Sequence, residues 1–196
     1  MRNLRVAQIT NLERCKNGVN LALGGGGAKG FVHLGVVEEL AELRIPIRAI
    51  VGTSIGAIIG SLFAYFSTSL LMRIRSLRLR ELSPSFFLRE NFWRHRDASI
   101  VSGFRKGLLR GDKISDWLAE KLYDEQQLSS IRFDNLKFPL TVTATHTGEC
   151  LVINAEKENS MFVHRAVRAS MSIQWIFREI YLEVAGKTHR CWDGVT

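Results

Sequence analysis

The feature that most constrains the fold is a short apolar run ending in glycine, which occurs twice near the start of the chain. Val19–Leu23 leads into the glycine run Gly24–Gly27, and Ile47–Val51 leads into a second glycine-bounded turn. Apolar residues at helical spacing follow each turn, over Phe31–Leu43 and Ile55–Phe66. A strand, a turn and a helix repeated in this way predict an α/β fold with parallel strands. Because ligand chemistry in such sheets gathers at the carboxyl ends of the strands, we expect both glycine turns to face one site.

The uncharged run Ala49–Phe66 also permits a second interpretation, a membrane-spanning helix. Gly56 and Gly60 within it form the small-xxx-small pair of packed membrane helices. The β-branched start of the run and the break at Gly52 favour a buried strand, a tight turn and a buried helix instead. We therefore expect the strand–turn–helix arrangement.

Composition is that of an ordinary globular domain, because 46% of the 196 residues are hydrophobic and 23% are charged. That balance excludes disordered and fibrous proteins. Residues 1–18 are polar and lack the apolar core of a secretory signal, so they predict a loose lead-in to a single domain over 19–196. The odd number of cysteines and the lack of a C-x-x-C motif favour a reduced, cytoplasmic protein.

A formal net charge of +8 favours anionic partners. Much of the excess lies in residues 73–110, where aromatic side chains are interleaved with basic ones. This pattern predicts a surface that docks on an anionic bilayer, with Phe92 and Trp93 inserting and arginines on the headgroups. A solvated segment over the site is the alternative, since no clean amphipathic period runs through it. Nucleic acid is not expected as a partner, because no motif for reading it is present.

The second glycine turn reads Gly52-Thr53-Ser54-Ile55-Gly56, a G-x-S-x-G between a strand and a helix. A serine on such a sharp turn has a strained backbone and presents its hydroxyl as a nucleophile. Gly52 and Gly56 are the small neighbours that the turn requires, since larger side chains would collide. Ser54 is therefore the candidate nucleophile. The structural alternative is a glycine-relieved turn with a capping serine.

The first glycine turn can direct several backbone N–H groups at one anion, such as the oxyanion of a tetrahedral acyl intermediate. The candidate donors belong to the run Gly24–Gly27. Lys29 is followed by Gly30 rather than by Ser or Thr, which excludes a phosphate-binding P-loop. The glycines also fit a dinucleotide-binding G-x-G-x-x-G, but the second strand ends in the serine turn rather than in the acidic residue that holds a ribose. Acyl transfer is the favoured chemistry.

Two kinds of base could activate Ser54. The histidines are His33, His95, His146, His164 and His189. Only His189 falls near a plausible late loop for a Ser-His-Asp triad. The other candidate is Asp193, which Gly194 follows, although an Asp-Gly pair by itself more often marks only a turn.

These motifs together resemble the patatin-like phospholipase family. GGGAKG at 25–30, GTSIG at 52–56 and a late Asp-Gly at 193–194 occur in the family's order, and Val167–Ile173 is similar to its segment before the aspartate. The resemblance runs from about residue 19 to the C-terminus. It implies an α/β fold of three layers, in which helices flank a central, mostly parallel sheet.

The same resemblance implies a lipid acyl hydrolase with a Ser-Asp dyad and with neither metal nor cofactor. Ser54 would be the nucleophile, Asp193 the base, and Gly25–Gly27 the oxyanion hole. The supporting glycines would be Gly30, Gly52, Gly56 and Gly194. Its substrates would be phospholipids, lysophospholipids or neutral glycerolipids. A carboxylate is a weak base toward a hydroxyl, so we expect burial to raise its basicity, and an alkoxide leaving group needs no histidine acid.

The sequence departs from the family pattern in two places. Gln174 and Trp175 stand where the family places Pro and small residues, and Val195 follows Asp193-Gly194 in place of Gly or Ala. The chain ends at Thr196, where family members continue, so we expect a C-terminally truncated or variant catalytic domain. The alternative function is a catalytically weak or inactive lipid-binding module. The expected location is cytoplasmic and peripherally membrane-associated.

Overall fold

The computed structural model describes residues 15, 17–67, 111–124 and 129–194. The basic–aromatic surface predicted for 73–110 lies outside these residues, and so does His95. Most of the predicted lead-in, 1–18, also lies outside them.

The N-terminal half folds as the two glycine turns predict. Its elements are strand β1 (Val19–Leu23), a 3-10 helix (Gly27–Phe31), helix α1 (Val32–Glu42), strand β2 (Ile47–Thr53) and helix α2 (Ile55–Phe66). β1 and β2 pair in parallel, with Leu23 opposite Gly52. The two glycine turns therefore leave the sheet at the same edge.

The rest of the described chain adds helices and a set of antiparallel strands. Its elements are helix α3 (Asp112–Lys121), strands β3 (Tyr123–Asp124) and β4 (Ser129–Ser130), a 3-10 turn (Phe133–Asn135), strands β5 (Leu140–His146) and β6 (Glu149–Asn154), helices α4 (Ala155–Glu158) and α5 (Val163–Ser170), and strands β7 (Ile180–Val184) and β8 (Lys187–Asp193). β5 and β6 are antiparallel neighbours joined by a turn at Gly148.

Six strands form one mixed sheet in the order β1-β2-β5-β8-β7, with β6 also paired to β5. β1, β2 and β5 are its parallel part. β5 joins the two halves of the chain, because Thr143 pairs with Thr53 of β2 and the next residue, Ala144, pairs with Asp193 of β8. β2 and β8 run in opposite directions, so their last residues meet at adjacent positions along β5.

Helix α2 forms the centre of the hydrophobic core. Every residue from Ile55 to Ala64 is buried, and the helix packs on β1, β2 and β5. Its burial accounts for the uncharged run Ala49–Phe66, which the structure divides into strand, turn and helix. No helix within the described ranges is both long and apolar enough to cross a bilayer.

One sequence-based expectation about the later elements was wrong, the position of His189. Gly111 occupies the cap position of α3 at φ 72°, and Asp112 is the first helical residue. His189 lies within strand β8 and not in a loop, because 180–193 forms a β-hairpin that turns at Ala185 and Gly186, both at positive φ.

Candidate active site

Ser54 occupies the sharp turn between β2 and α2. Its backbone has φ 54° and ψ −122°, a combination that is strained for a residue other than glycine. Its carbonyl oxygen accepts hydrogen bonds from Ala57 and Ile58 and so begins helix α2. The strained serine predicted from the G-x-S-x-G motif is therefore present.

The glycines beside Ser54 allow two backbones to touch. A Cβ atom on Gly56 would lie 2.0 Å from the carbonyl oxygen of Leu23, and one on Gly52 would lie 2.6 Å from Cα of Ala57. These are backbone atoms, which cannot turn aside as a flexible side chain can. The predicted collision is therefore confirmed, and glycine at 56 keeps the serine turn against the end of β1.

Asp193 reaches Ser54 from the opposite direction, at the end of β8. The Ser54 hydroxyl Oγ donates a hydrogen bond of 2.7 Å to Oδ2 of Asp193. Both residues are buried, with 4% of Ser54 and 2% of Asp193 exposed. The next residue, Gly194, has no room for a side chain, as at Gly56, since a Cβ there would lie 2.8 Å from the carbonyl oxygen of Thr143. A buried hydroxyl–carboxylate pair is the geometry that proton transfer from a nucleophile requires.

The glycine loop lies next to this pair through its contact with α2. A Cβ on Gly30 would fall 2.3 Å from Cγ2 of Ile55, the residue after the serine. Gly26 and Gly27 both have positive φ, which suits glycine and turns the chain into the 3-10 helix. Among the described residues, the N–H groups of Gly25 and Gly26 donate no hydrogen bond. They are therefore available to an anion.

None of the four described histidines forms a hydrogen bond with Ser54 Oγ. His33 Nε2 lies 2.9 Å from the carbonyl oxygen of Gly24, and His164 Nδ1 lies 2.9 Å from the Ser115 hydroxyl. His146 Nδ1 lies 3.0 Å from the carbonyl oxygen of Arg190, and the His146 and His189 rings pack edge to face. Within the described chain, the hydrogen-bond partner of the Ser54 hydroxyl is the carboxylate alone.

Two serines that the motif analysis did not assign to the site contact the backbone of the dyad. Ser170 Oγ accepts a hydrogen bond of 2.7 Å from the Ser54 N–H, and the Ser172 carbonyl oxygen accepts one of 2.9 Å from the Asp193 N–H. Both serines are fully buried. Their only sequence signal is a set of polar residues at the buried end of helix α5, within the stretch that resembles the family.

The other titratable groups near the site are poor candidates for its base or nucleophile. Burial raises the pKa of the Cys191 thiol to about 11, so a thiolate does not form there at neutral pH. Burial lowers the pKa of Arg168, while Asp112 acts in the opposite direction, and an arginine stays protonated under such shifts. In the residues that the structure describes, no three His, Cys, Asp or Glu side chains cluster as metal ligands.

The site thus combines a strained serine on a strand–helix turn, a buried carboxylate hydrogen-bonded to it and a neighbouring glycine loop. This arrangement is typical of serine hydrolases. The sequence profile of the patatin-like phospholipases matches residues 21–196. The chain therefore belongs to the patatin-like phospholipase family.

Named relatives agree with this assignment. Lysophospholipase nte1 of Emericella nidulans is 32% identical over 164 residues, which cover 81% of this chain and 9% of that protein. Lysophospholipase NTE1 of Coccidioides immitis is 56% identical over 50 residues, or 26% of this chain and 3% of the relative. The chain thus spans a small fraction of the length of these relatives.

Solved structures show the same fold. VipD from Legionella pneumophila aligns with a TM-score of 0.59 at 15% identity, covering 90% of this chain and 46% of VipD. ExoU from Pseudomonas aeruginosa, crystallised with SpcU, aligns with a TM-score of 0.56 at 20% identity, covering 79% of this chain and 38% of ExoU. The predicted patatin-like fold, a central sheet with flanking helices, is confirmed.

Proposed function

We propose that residues 19–196 form the catalytic domain of a lipid acyl hydrolase that cleaves carboxylic ester bonds through a Ser54–Asp193 dyad. The observation that carries the proposal is the 2.7 Å hydrogen bond from the Ser54 hydroxyl to the Asp193 carboxylate at a strained serine turn. Family membership supplies the substrate class, and the names of the fungal relatives favour lysophospholipids among the possible glycerolipids.

In the proposed acylation step, Asp193 takes the proton of Ser54 Oγ while that oxygen attacks the ester carbonyl carbon. The carbonyl oxygen becomes an oxyanion, and the N–H groups of Gly25–Gly27 stabilise it, each by about 3 kcal/mol in the transition state. Collapse of the intermediate breaks the ester C–O bond. The departing alkoxide takes the proton back from Asp193, which leaves the acyl group on Ser54.

Deacylation repeats the sequence with water. Asp193 takes a proton from the water as its oxygen attacks the acyl carbon, and the second tetrahedral intermediate occupies the same oxyanion site. When the bond to Ser54 breaks, the serine oxygen recovers the proton and a free fatty acid leaves. No histidine is needed, since an alkoxide demands less help in leaving than the amine of a peptide.

An exposed apolar loop beside the dyad supports a lipid substrate. Ile173, Trp175 and Ile176 follow directly after Ser172, and Trp175 is 67% exposed. Its backbone is also left-handed, at φ 71°, an uncommon conformation for a bulky side chain. We infer that this loop contacts acyl chains of aggregated lipid. Trp175→Ser should slow hydrolysis of vesicle lipid and leave hydrolysis of a water-soluble ester unchanged; an equal effect on both would refute the contact.

Peripheral attachment to an anionic bilayer through 73–110, in the cytoplasm, belongs to the same proposal. It rests on the basic and aromatic composition of that stretch. Sedimentation with vesicles of neutral or anionic phospholipid tests it. We expect binding that requires the anionic lipid and weakens with added salt.

The experiment that tests the proposed activity measures fatty-acid release from lysophospholipid, diacyl phospholipid and monoacylglycerol. Ser54→Ala should abolish release from every substrate that the unaltered chain cleaves. Ser61→Ala is the matched control, because Ser61 is a buried serine of the same helix whose hydroxyl donates only within that helix, to the Ile58 carbonyl. Activity that survives in Ser54→Ala would refute the proposal, and a folded but inactive unaltered chain would favour a lipid-binding module.

A further inference from the structure

One short segment, Arg168–Ser172, contacts the backbone of both members of the dyad. It comprises the end of helix α5 and the two residues that follow. Arg168, Ser170 and Ser172 are all buried, although each is polar. Buried polar groups are costly unless they are hydrogen-bonded, so their partners show what the segment does.

Ser170 forms a hydrogen bond with the backbone of the proposed nucleophile, Ser54. Its Oγ accepts the 2.7 Å hydrogen bond from the N–H of Ser54, whose backbone is the strained one of the serine turn. A strained conformation persists only where the surroundings fix it. Because Ser170 binds the peptide that precedes the Ser54 side chain, it sets the direction in which the Ser54 hydroxyl points.

Ser172 forms a hydrogen bond with the backbone of the proposed base, Asp193, and Arg168 forms a hydrogen bond with Ser172. The Ser172 carbonyl oxygen accepts a hydrogen bond from the Asp193 N–H, and the Ser172 hydroxyl donates to the Arg168 carbonyl oxygen. One guanidinium nitrogen of Arg168 donates to the Ser172 hydroxyl at 2.5 Å, and another donates to the Arg178 carbonyl oxygen at 3.0 Å. The guanidinium thus ties the loop after α5 to the helix that bears Ser170.

We infer that Arg168, Ser170 and Ser172 form a positioning unit that sets the distance between the Ser54 hydroxyl and the Asp193 carboxylate. The inference rests on the proposed function, because that distance matters only if Asp193 takes the proton of Ser54. The two dyad residues are far apart in sequence, and β5 pairs with Asp193 itself but, on the other side, only with Thr53, the residue before Ser54. The positioning unit adds one hydrogen bond to the backbone of each.

The test compares Ser170→Ala with the control Ser61→Ala and with Ser170→Thr, which keeps the acceptor oxygen. Ser170→Ala should lower kcat by roughly 10–100-fold, with KM changed by less than about twofold, because displaced reacting groups cost rate rather than binding. The rate at which a fluorophosphonate labels Ser54 should fall in parallel. Ser170→Thr should restore most of the loss, and Ser61→Ala should retain the rate of the unaltered chain.

The outcomes separate this inference from the proposed function. If the unaltered chain hydrolyses lipid and Ser170→Ala matches Ser61→Ala in kcat, the positioning unit is refuted while the dyad stands. If the unaltered chain neither hydrolyses lipid nor labels, the proposed function fails and the inference fails with it. Should Ser170→Ala not fold, Ser172→Ala is measured instead: it keeps the carbonyl that binds Asp193 and loses only the link to Arg168. A drop in kcat of roughly tenfold would support the unit, and an unchanged kcat would refute it.

Discussion

The turn that bears Ser54 and the hairpin that bears Asp193 are held in place by different kinds of contact. Ser54 follows a parallel strand and precedes a buried helix; its neighbour Gly52 lies against Ala57 of that helix, and Gly56 lies against Leu23 at the end of β1. Asp193 ends an antiparallel hairpin, and its backbone is held by Ser172 and by pairing with β5. The proposed nucleophile is therefore positioned mainly by the strand, turn and helix around it, with one distant hydrogen bond to Ser170, whereas the proposed base is positioned mainly by distant contacts. Damage to the two regions should have different signatures.

The largest effect should come from the hairpin side, where the Asp193 carboxylate is the proposed proton acceptor. Asp193→Asn keeps the size and shape of the side chain but removes the carboxylate that would accept the proton. We expect fatty-acid release to fall by at least about 10³-fold, with the free energy of unfolding little changed. Glu183→Gln, an exposed carboxyl on strand β7 of the same hairpin, is the control and should retain full activity. Activity within tenfold of normal in Asp193→Asn would mean that another group is the base.

On the serine side, a single methyl group should disrupt the fold itself. Gly56→Ala places a Cβ 2.0 Å from the Leu23 carbonyl oxygen and should destabilise the protein by roughly 3 kcal/mol. Gly35→Ala is the opposite case, since Gly35 is exposed in helix α1 with no atom within 4 Å of its Cβ position. It should stabilise the protein by about 0.5–1 kcal/mol through better helix propensity. Urea unfolding measures both, and equal effects would contradict the packing of the serine turn.

The smallest effect concerns helix α5, which lies between the two regions. Burial lowers the pKa of His164 below its ordinary value of 6.5, Arg165 lowers it further, and Asp116 opposes them. As the pH falls, His164 therefore binds a proton at a higher pH in the unfolded chain than in the folded chain. The contribution of His164 to stability is present above about pH 6.5 and is lost as the pH falls through the folded pKa.

His164→Gln should accordingly reduce the loss of stability on going from pH 7 to pH 5. Ser115→Ala is the control: it removes the hydrogen-bond partner of the ring but no titrating group, so it should leave that pH dependence in place. Thermal unfolding at the two pH values measures the difference. An undiminished pH dependence in His164→Gln would show that other groups dominate it.

The sequence predicted the serine side of the site well because its determinants are contiguous. Strand, glycine turn and helix follow one another, and the clash that requires Gly56 involves the preceding strand. The hairpin was not predicted, although Ile180–Val184 alternates buried and exposed residues and is followed by the turn at Ala185-Gly186. Asp193 was one of two candidate bases, and only the family resemblance favoured it over His189, because its approach to Ser54 depends on the register along β5.

Ser170 and Ser172 were not predicted at all as parts of the site. A serine at the end of an amphipathic helix reads in sequence as a polar residue on a solvated face, or as a helix terminus. Only the packing of α5 against the sheet shows that both serines are buried, and that the Ser170 hydroxyl and the Ser172 carbonyl contact the backbones of Ser54 and Asp193. Such contacts between distant segments leave no periodicity in the sequence.

The most direct test of the account is site-resolved labelling with a fluorophosphonate, followed by mass spectrometry of the Ser54 peptide. We predict label on Ser54 in the unaltered chain and a loss of at least about 10³-fold in labelling rate in Asp193→Asn. Each histidine replaced singly by glutamine, His33, His95, His146, His164 or His189, should retain the rate within about tenfold. Loss of labelling in one of these histidine variants, with Asp193→Asn still labelled, would contradict the dyad and establish a triad.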